Sequence, residues 1–233
     1  MRLRHSFLAG LFTVPVFLFT QAANAAPITG QANIAGNVNV SGTSITFQPA
    51  FTTTSGAMET GSFAGLTGGT IQSLSGGPVT GTLATPITQF ISFTTGVAAP
   101  VYFDLTYIAP GVGTLGNCFN SALGSQCTPA GSPFTLFQLT SNTVIASLQF
   151  NGNGYTDTAA SGTTPTTAVF STQTALNGTI PQIYTQLVAG QTLTGITYSA
   201  SFNTNPVPEP ASLLLMGIGV IGVGFIARRK LHN

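Results

Sequence analysis

The chain has 233 residues, of which only 4% are charged, against about 25% in an ordinary soluble domain. All its basic side chains lie near the two ends, so residues 26–205 contain three carboxylates and no Lys, Arg or His. This region therefore has a formal charge of −3, which excludes the phosphate contacts of a nucleic-acid-binding protein and docking on anionic lipid.

The first 25 residues have the order of a secretory signal peptide. A basic start precedes an apolar run over 6–20, and residues 23–25 (Ala-Asn-Ala) fit the small-x-small cleavage rule. We expect cleavage between Ala25 and Ala26, with export to an oxidising compartment. The apolar run is short and contains Pro15, so an uncleaved transmembrane anchor is the weaker interpretation.

Residues 26–204 have the pattern of one all-β domain. Short runs alternate apolar and polar residues between glycine and proline turns. The predicted strands are 43–48, 87–94, 101–108, 134–140, 143–151 and 191–203. Turn signals at a spacing of about 8–12 residues favour a sandwich or a barrel. Of these two, we expect a jelly-roll-like antiparallel β-sandwich.

Three segments depart from the strand pattern. Apolar residues at helical spacing after Pro181 predict a short helix over 181–189, which Gly190 can end. Segments 152–154 and 158–167 are rich in Gly, Asn, Thr and Ser and are predicted to be loops.

Cys118 and Cys127 are the only cysteines, and they flank a loop rich in Gly, Asn and Ser. In an exported domain this arrangement predicts a disulfide. Closing a loop of about ten residues contributes roughly 2.5–3 kcal/mol on the chain-entropy model. A metal site would need more ligands, and a cysteine nucleophile would lack a histidine base.

Glu59, Asp104 and Asp157 are the carboxylates available for chemistry in the central region, which has no Lys or His to act as a general base. A glycosidase needs two carboxylates across one sugar, and segment 151–157 offers one carboxylate where a tight calcium site uses several. Asp104 falls on the polar face of a predicted strand, which indicates a solvated surface acid. We therefore predict a non-enzymatic domain with no metal or cofactor. A glycan-cleaving or calcium-dependent module is the alternative.

Residues 205–233 begin with a proline-dense stretch that cannot continue a strand or a helix. That stretch contains Val207, Pro208, Glu209 and Pro210. An uncharged apolar run over 211–227 follows, giving about 25 Å of helix against a bilayer core of about 30 Å. We predict a single transmembrane helix here. A basic cluster then predicts a cytoplasmic stop under the positive-inside rule. The cluster consists of Arg228, Arg229 and Lys230.

These three parts, in this order, resemble the PEP-CTERM sorting signal, and the resemblance covers about the last 28 residues. The same segment is also labelled an ice-binding protein C-terminal domain, a label that does not imply ice binding. The resemblance implies an inner-membrane-anchored precursor that an exosortase recognises and cleaves near 208–210. The product would reside at the cell surface or outside the cell. A plain single-span anchor with a proline-rich linker is the alternative.

The resemblance also implies association with exopolysaccharide, because PEP-CTERM proteins are associated with bacteria that produce it. A nearly uncharged domain rich in Thr, Ser and Asn offers many hydroxyl and amide groups to sugars. Four tyrosines are candidates to stack on sugar rings: Tyr102, Tyr107, Tyr155 and Tyr198. Ice binding by Thr-x-Thr pairs at 80/82, 172/174 and 192/194 is a further alternative, which the lack of a regular repeat disfavours.

Overall fold

The computed structural model describes residues 28–54, 59–75, 80–130, 132–156, 162–172 and 176–204. Most of these residues are in strands, which confirms the all-β class. The strands are β1 (Gln31–Val40), β2 (Ile45–Phe47), β3 (Ala50–Thr53), β4 (Gly68–Ile71), β5 (Gly81–Thr95), β6 (Val101–Ile108), β7 (Gln126–Cys127), β8 (Thr135–Thr140), β9 (Thr143–Thr156), β10 (Thr164–Thr172), β11 (Leu176–Asn177) and β12 (Leu193–Thr204). Helix α1 spans Ile180–Val188, and short 3₁₀ turns lie at Gly61–Phe63 and Leu115–Phe119.

Several predictions fall on residues outside these ranges. They are the signal peptide with its cleavage between Ala25 and Ala26, the proline-dense motif at 207–210, the span over 211–227 and the basic stop at 228–230. Within the described ranges, no helix has both the length and the apolar character needed to cross a membrane.

Eight strands close into one antiparallel ring. Their order is β10, β12, β1, β3, β4, β5, β6 and β9, and β9 then pairs with β10. The expected two-sheet jelly-roll sandwich is therefore wrong in its topology, because the sheet closes on itself. Closure pairs backbone groups that an open sheet would leave exposed at its edges. The 14-residue β9 makes this possible, since it pairs with β6 and β8 on one side and with β10 and β11 on the other.

The predicted loop at 152–154 is also wrong, because these residues lie inside β9. A Cβ at Gly152 would overlap the carbonyl oxygen of Asp104, and a Cβ at Gly154 would overlap the side chain of Ile28. The two glycines therefore let neighbouring segments approach closely rather than forming a turn. Residues 164–167 likewise belong to β10 rather than to a loop, with Thr164 buried towards the interior.

The interior of the ring is filled mainly by phenylalanines. Phe170 on β10 has ring centroids 5.0–5.8 Å from those of four buried aromatic side chains. The four are Phe47, Phe150, Tyr198 and Phe202. Most of these pairs are tilted or edge-to-face, the arrangement that aromatic quadrupoles favour. Phe170 therefore links side chains from β2, β9 and β12 into one core.

The two ends of the ring differ. At one end, which we call the terminal end, both the backbone N–H and the hydroxyl of Thr204 donate to the carbonyl of Gly30, over 3.2 and 2.9 Å. The last residue of β12 therefore lies beside the residue that precedes β1. The opposite end, which we call the capped end, carries α1 and the loop between β6 and β8. Both ends of the described chain thus leave the domain at its terminal end.

Helix α1 confirms the predicted helix to within one residue at each boundary. Its first turn is closed by a capping box, in which the Thr179 backbone N–H donates to Gln182 Oε1 over 2.9 Å. The next free N–H, that of Ile180, donates to Oε1 of Gln138 over 2.7 Å. Gln138 is fully buried in β8, and its Nε2 donates to the carbonyls of Thr140 and Thr143 over 2.6 and 3.3 Å. One buried amide therefore joins α1 to the turn between β8 and β9.

Candidate functional site

A continuous polar surface covers the outer side of five neighbouring strands, β6, β9, β10, β12 and β1, and we call it the polar face. Residues on these strands alternate between the core and this surface. The strand register places amides and hydroxyls side by side across the sheet, as in the sets Asn33/Ser201, Asn151/Thr167/Asn203 and Asp104/Asn153. Asp104 is the only charged side chain in these five strands. The polar face therefore offers neutral hydrogen-bonding groups almost throughout.

Direct bonds between side chains join parts of this face. Gln31 Nε2 donates to Ser201 Oγ over 3.1 Å and to Asn33 Oδ1 over 3.3 Å. Gln149 Nε2 donates to Asn151 Oδ1 over 3.3 Å. Such bonds hold amide groups in fixed orientations, so a ligand meets partly pre-arranged donors and acceptors.

At one edge of the polar face, Asp104 organises a cluster that we call the Asp104 cluster: Gln72, Gln89, Tyr102, Asp104 and Tyr155. Oδ1 of Asp104 accepts from the backbone N–H of Gln89 over 2.7 Å and from the Tyr155 hydroxyl over 2.9 Å. The half-buried carboxylate is therefore held in place, which corrects the expectation of a freely solvated surface acid. No described residue bonds to its second oxygen, Oδ2.

The backbone at Gln89 is strained. Its φ is +50°, and it is the only non-glycine among the described residues with a positive φ. Gln89 lies where the register between β5 and β6 shifts, between the Ile87 and Ile91 pairings. Gln72 Nε2 donates to the carbonyls of Thr88 and Gln89 over 2.9 Å each, while Asp104 accepts from the Gln89 N–H. Bonds from two sides thus stabilise a conformation that costs about 1–3 kcal/mol.

Tyr155 is 4% exposed and lies opposite Tyr102 in the register between β6 and β9, with ring centroids 5.7 Å apart. Burial raises the pKa of Tyr155 to about 12, and its hydrogen bond to Asp104 and the negative charge there add to the effect. The phenol therefore keeps its proton at any physiological pH and remains a donor to the carboxylate. Tyr102, which is half-buried, presents part of its ring to solvent.

The other described carboxylate, Glu59, lies beside β1, since the next residue, Thr60, bonds to both the N–H and the C=O of Gln31. In the closed ring, β1 is four strands away from β6 in either direction, so Glu59 and Asp104 lie on opposite sides. Asp157 falls outside the described residues. Within the described ranges, no group of three or more His, Cys, Asp or Glu side chains could hold a metal ion.

The structure separates the four tyrosines proposed to stack on sugars. Tyr198 is 2% exposed in the core, and burial raises its pKa, so it cannot be a surface platform. Tyr155 is covered as well, which leaves Tyr102 and Tyr107 as half-buried surface rings. The threonine pairs form no common surface among the described residues: Thr172 is buried, while Thr82 and Thr194 lie on β5 and β12, which are not neighbours.

Cys118 and Cys127 form the predicted disulfide, with their Cα atoms 5.0 Å apart. Both cysteines are fully buried at the capped end. We expect the double substitution Cys118→Ser and Cys127→Ser to lower the free energy of unfolding by about 2.5–3 kcal/mol, because the unfolded chain regains the freedom of a loop of about ten residues. Urea denaturation measures this loss.

Reduction of the unsubstituted protein should reproduce the same loss. The double variant should then show no further response to the reductant, which controls for effects of the serines themselves. An unchanged urea midpoint in both tests would contradict a stabilising role for this bond.

Comparison with known proteins gives one match, outside the described residues. The family model of the PEP-CTERM protein-sorting motif matches residues 206–230, the segment whose sequence resembles that signal. Searches of curated proteins and of solved structures find no significant match. The motif implies an exported, membrane-anchored precursor that an exosortase processes for sorting to the cell surface.

Proposed function

We propose that this PEP-CTERM protein is a non-enzymatic surface or matrix protein whose β domain associates with exopolysaccharide. The observation that carries the proposal is the polar face, which spans five strands and holds a single charge. Neutral polysaccharides are recognised by many weak hydrogen bonds to hydroxyl and amide groups, and a wide surface of this chemistry suits an extended chain.

The position of the carboxylates supports a non-catalytic role. Retaining and inverting glycosidases hold their two carboxyl groups about 5–5.5 Å and about 6.5–9.5 Å apart, respectively. Glu59 lies beside β1 and Asp104 lies on β6, four strands apart in the closed ring, which disfavours joint action of this pair on one glycosidic bond. The central region also lacks the Lys and His side chains that commonly serve as general bases.

The order of parts in the tail supports release from the membrane. A proline-dense segment stays extended and accessible to a protease. The apolar run over 211–227 and the basic stop at Arg228, Arg229 and Lys230 would hold this segment at the outer face of the inner membrane. Cleavage near Pro208–Pro210 would then separate the β domain from its anchor. The product would be transferred to the cell surface or released.

Substituting Glu209 and Pro210 with alanine is expected to block this processing, because the substitutions remove the Pro-Glu-Pro element while leaving the apolar run intact. The intact mass of the protein from membrane, surface and medium fractions of its native host measures the result. The unsubstituted chain should run from Ala26 to near Pro208. The variant should retain residues 211–233 and stay in the membrane fraction.

Asn205→Ala, just before the motif, serves as the matched control and should be processed normally. Recovery of residues 228–233 in every fraction of the unsubstituted protein would indicate a plain membrane anchor instead. Processing of the Glu209/Pro210 variant at the normal position would show that another signal directs cleavage.

A further inference from the structure

We propose that the Asp104 cluster is a binding site for one sugar unit of a neutral, hydroxyl-rich polysaccharide. This inference rests on the proposed association with polysaccharide and assigns it to a defined place at one edge of the polar face. Two features carry it: a pre-oriented carboxylate oxygen without a described partner, and an aromatic ring beside it that is partly open to solvent.

The carboxylate of Asp104 is fixed through one of its two oxygens. Oδ1 accepts from the Gln89 N–H and from the Tyr155 hydroxyl, at 2.7 and 2.9 Å. Oδ2 therefore points in a set direction and has the capacity to accept from sugar hydroxyls. Hydrogen bonds to a charged acceptor are about twice as strong as neutral ones, so a single such oxygen can anchor a sugar.

An aromatic platform and two amides accompany this acceptor. Tyr102 is two residues before Asp104 on the same strand and therefore on the same side of the sheet. Its ring packs against the covered ring of Tyr155, which limits its rotation. Asn153 lies opposite Asp104 in the register with β9, and the exposed Gln89 lies on the other side. Stacking by a tyrosine together with donors and acceptors at its edge suits a pyranose ring.

Charge defines the class of sugar. Residues 26–205 contain no basic side chain to neutralise Asp104, so a uronate or sulfated sugar would meet uncompensated repulsion in the site. A neutral sugar donates hydroxyl protons to the carboxylate without this penalty. The site should therefore select neutral glucans, mannans or galactans over anionic chains such as polygalacturonate.

The strain at Gln89 fits this assignment. A local φ of +50° is kept by three hydrogen bonds, two from Gln72 and one to Asp104. The same bonds hold the Gln89 backbone beside the Asp104 carboxylate. The strain is thus coupled to the pre-orientation of the groups that would contact the sugar.

The test is binding of the full-length protein in detergent micelles to a panel of neutral glucans, mannans and galactans, with polygalacturonate of similar length as the anionic probe. Tyrosine fluorescence reports binding without interference, since the chain has no tryptophan, and affinity electrophoresis provides a second readout.

Tyr102→Ala and Asp104→Asn should each weaken binding of the preferred neutral polymer by about tenfold. Asp104→Asn keeps an acceptor for both Oδ1 bonds, so it removes the charge and the free acceptor with little effect on the fold. Thr52→Ala, at an exposed position of β3 outside the polar face, is the matched control and should bind normally.

The outcomes separate the two proposals. Normal binding by both cluster variants, with a neutral polymer still bound by the unsubstituted protein, would overturn the Asp104 site and leave polysaccharide association in place. Equal or tighter binding of polygalacturonate would overturn the neutral specificity. If no neutral polymer binds the unsubstituted protein, both the site and the proposed association fall. Equal thermal midpoints for all three variants exclude misfolding as the cause of a loss.

Discussion

Phe170→Ala is expected to lower the free energy of unfolding by about 3–5 kcal/mol, the largest effect of any single substitution considered for this domain. Phe170 is 3% exposed and contacts four aromatic rings that belong to three other strands, β2, β9 and β12. Its ring also borders a cavity of about 30 Å³, which Phe47 and Tyr198 line as well. Removal of the ring would enlarge that cavity, and the rigid surrounding rings cannot collapse into it.

Urea denaturation of the purified protein measures this change, with far-UV circular dichroism as the signal. Val169→Ala is the matched control, since Val169 is the preceding residue of β10 but points outwards and is 46% exposed. The control should shift stability by no more than about 0.5 kcal/mol. If Phe170→Ala lowered the free energy of unfolding by no more than this control, the aromatic cluster would not be what holds the ring of strands together.

Gln138→Leu is expected to cost about 2–4 kcal/mol, because leucine fills the space of the amide but satisfies none of its partners. The N–H of Ile180 and the carbonyls of Thr140 and Thr143 would lose their bonds to a side chain that is fully buried. The damage should concentrate at the capped end. Hydrogen exchange should therefore rise in α1 and in the turn between β8 and β9, while the central residues of β12 stay protected.

Gln149→Leu gives the comparison, since Gln149 is an exposed glutamine on β9. It should leave both stability and exchange nearly unchanged. Uniform loss of protection across the whole domain in Gln138→Leu would show that the capped end unfolds only together with the ring. Retained protection in α1 would show that the Gln138 bonds contribute little.

The alternation of apolar and polar residues was enough to predict strands such as β6, whose bounds of 101–108 match the prediction. The helix was also predictable, because Pro181 and Gly190 mark its two ends and its apolar residues follow helical spacing. Closure of the sheet could not be predicted, since it depends on pairing between β9 and β10 and not on any local pattern. The Gly-Asn-Gly segment was misread as a loop because the close approach that requires Gly152 comes from another strand.

The candidate site could likewise be predicted from the sequence only in part. The sequence named Tyr102 as a candidate stacking ring and placed Asp104 on the polar face of the same strand, but it indicated a solvated acid at Asp104 and no role for Gln72 or Gln89. The Gln72 side chain donates to backbone carbonyls 16 and 17 residues away, and the backbone N–H of Gln89 donates to a carboxylate 15 residues away. No motif marks such contacts. The expectation of a surface ring at Tyr198 overlooked a signal in the sequence: Ile196, Tyr198, Ala200 and Phe202 alternate with polar residues along β12, and this side of the strand faces the core.

The contact between Thr204 and Gly30 places both ends of the described chain at the terminal end of the ring. Anything joined after Thr204, whether a membrane helix or an envelope acceptor, attaches beside the start of β1. Exchange of one attachment for the other would leave the point of attachment at the terminal end unchanged. The polar face runs along the wall of the ring and not across that end, so attachment there leaves most of it uncovered before and after processing.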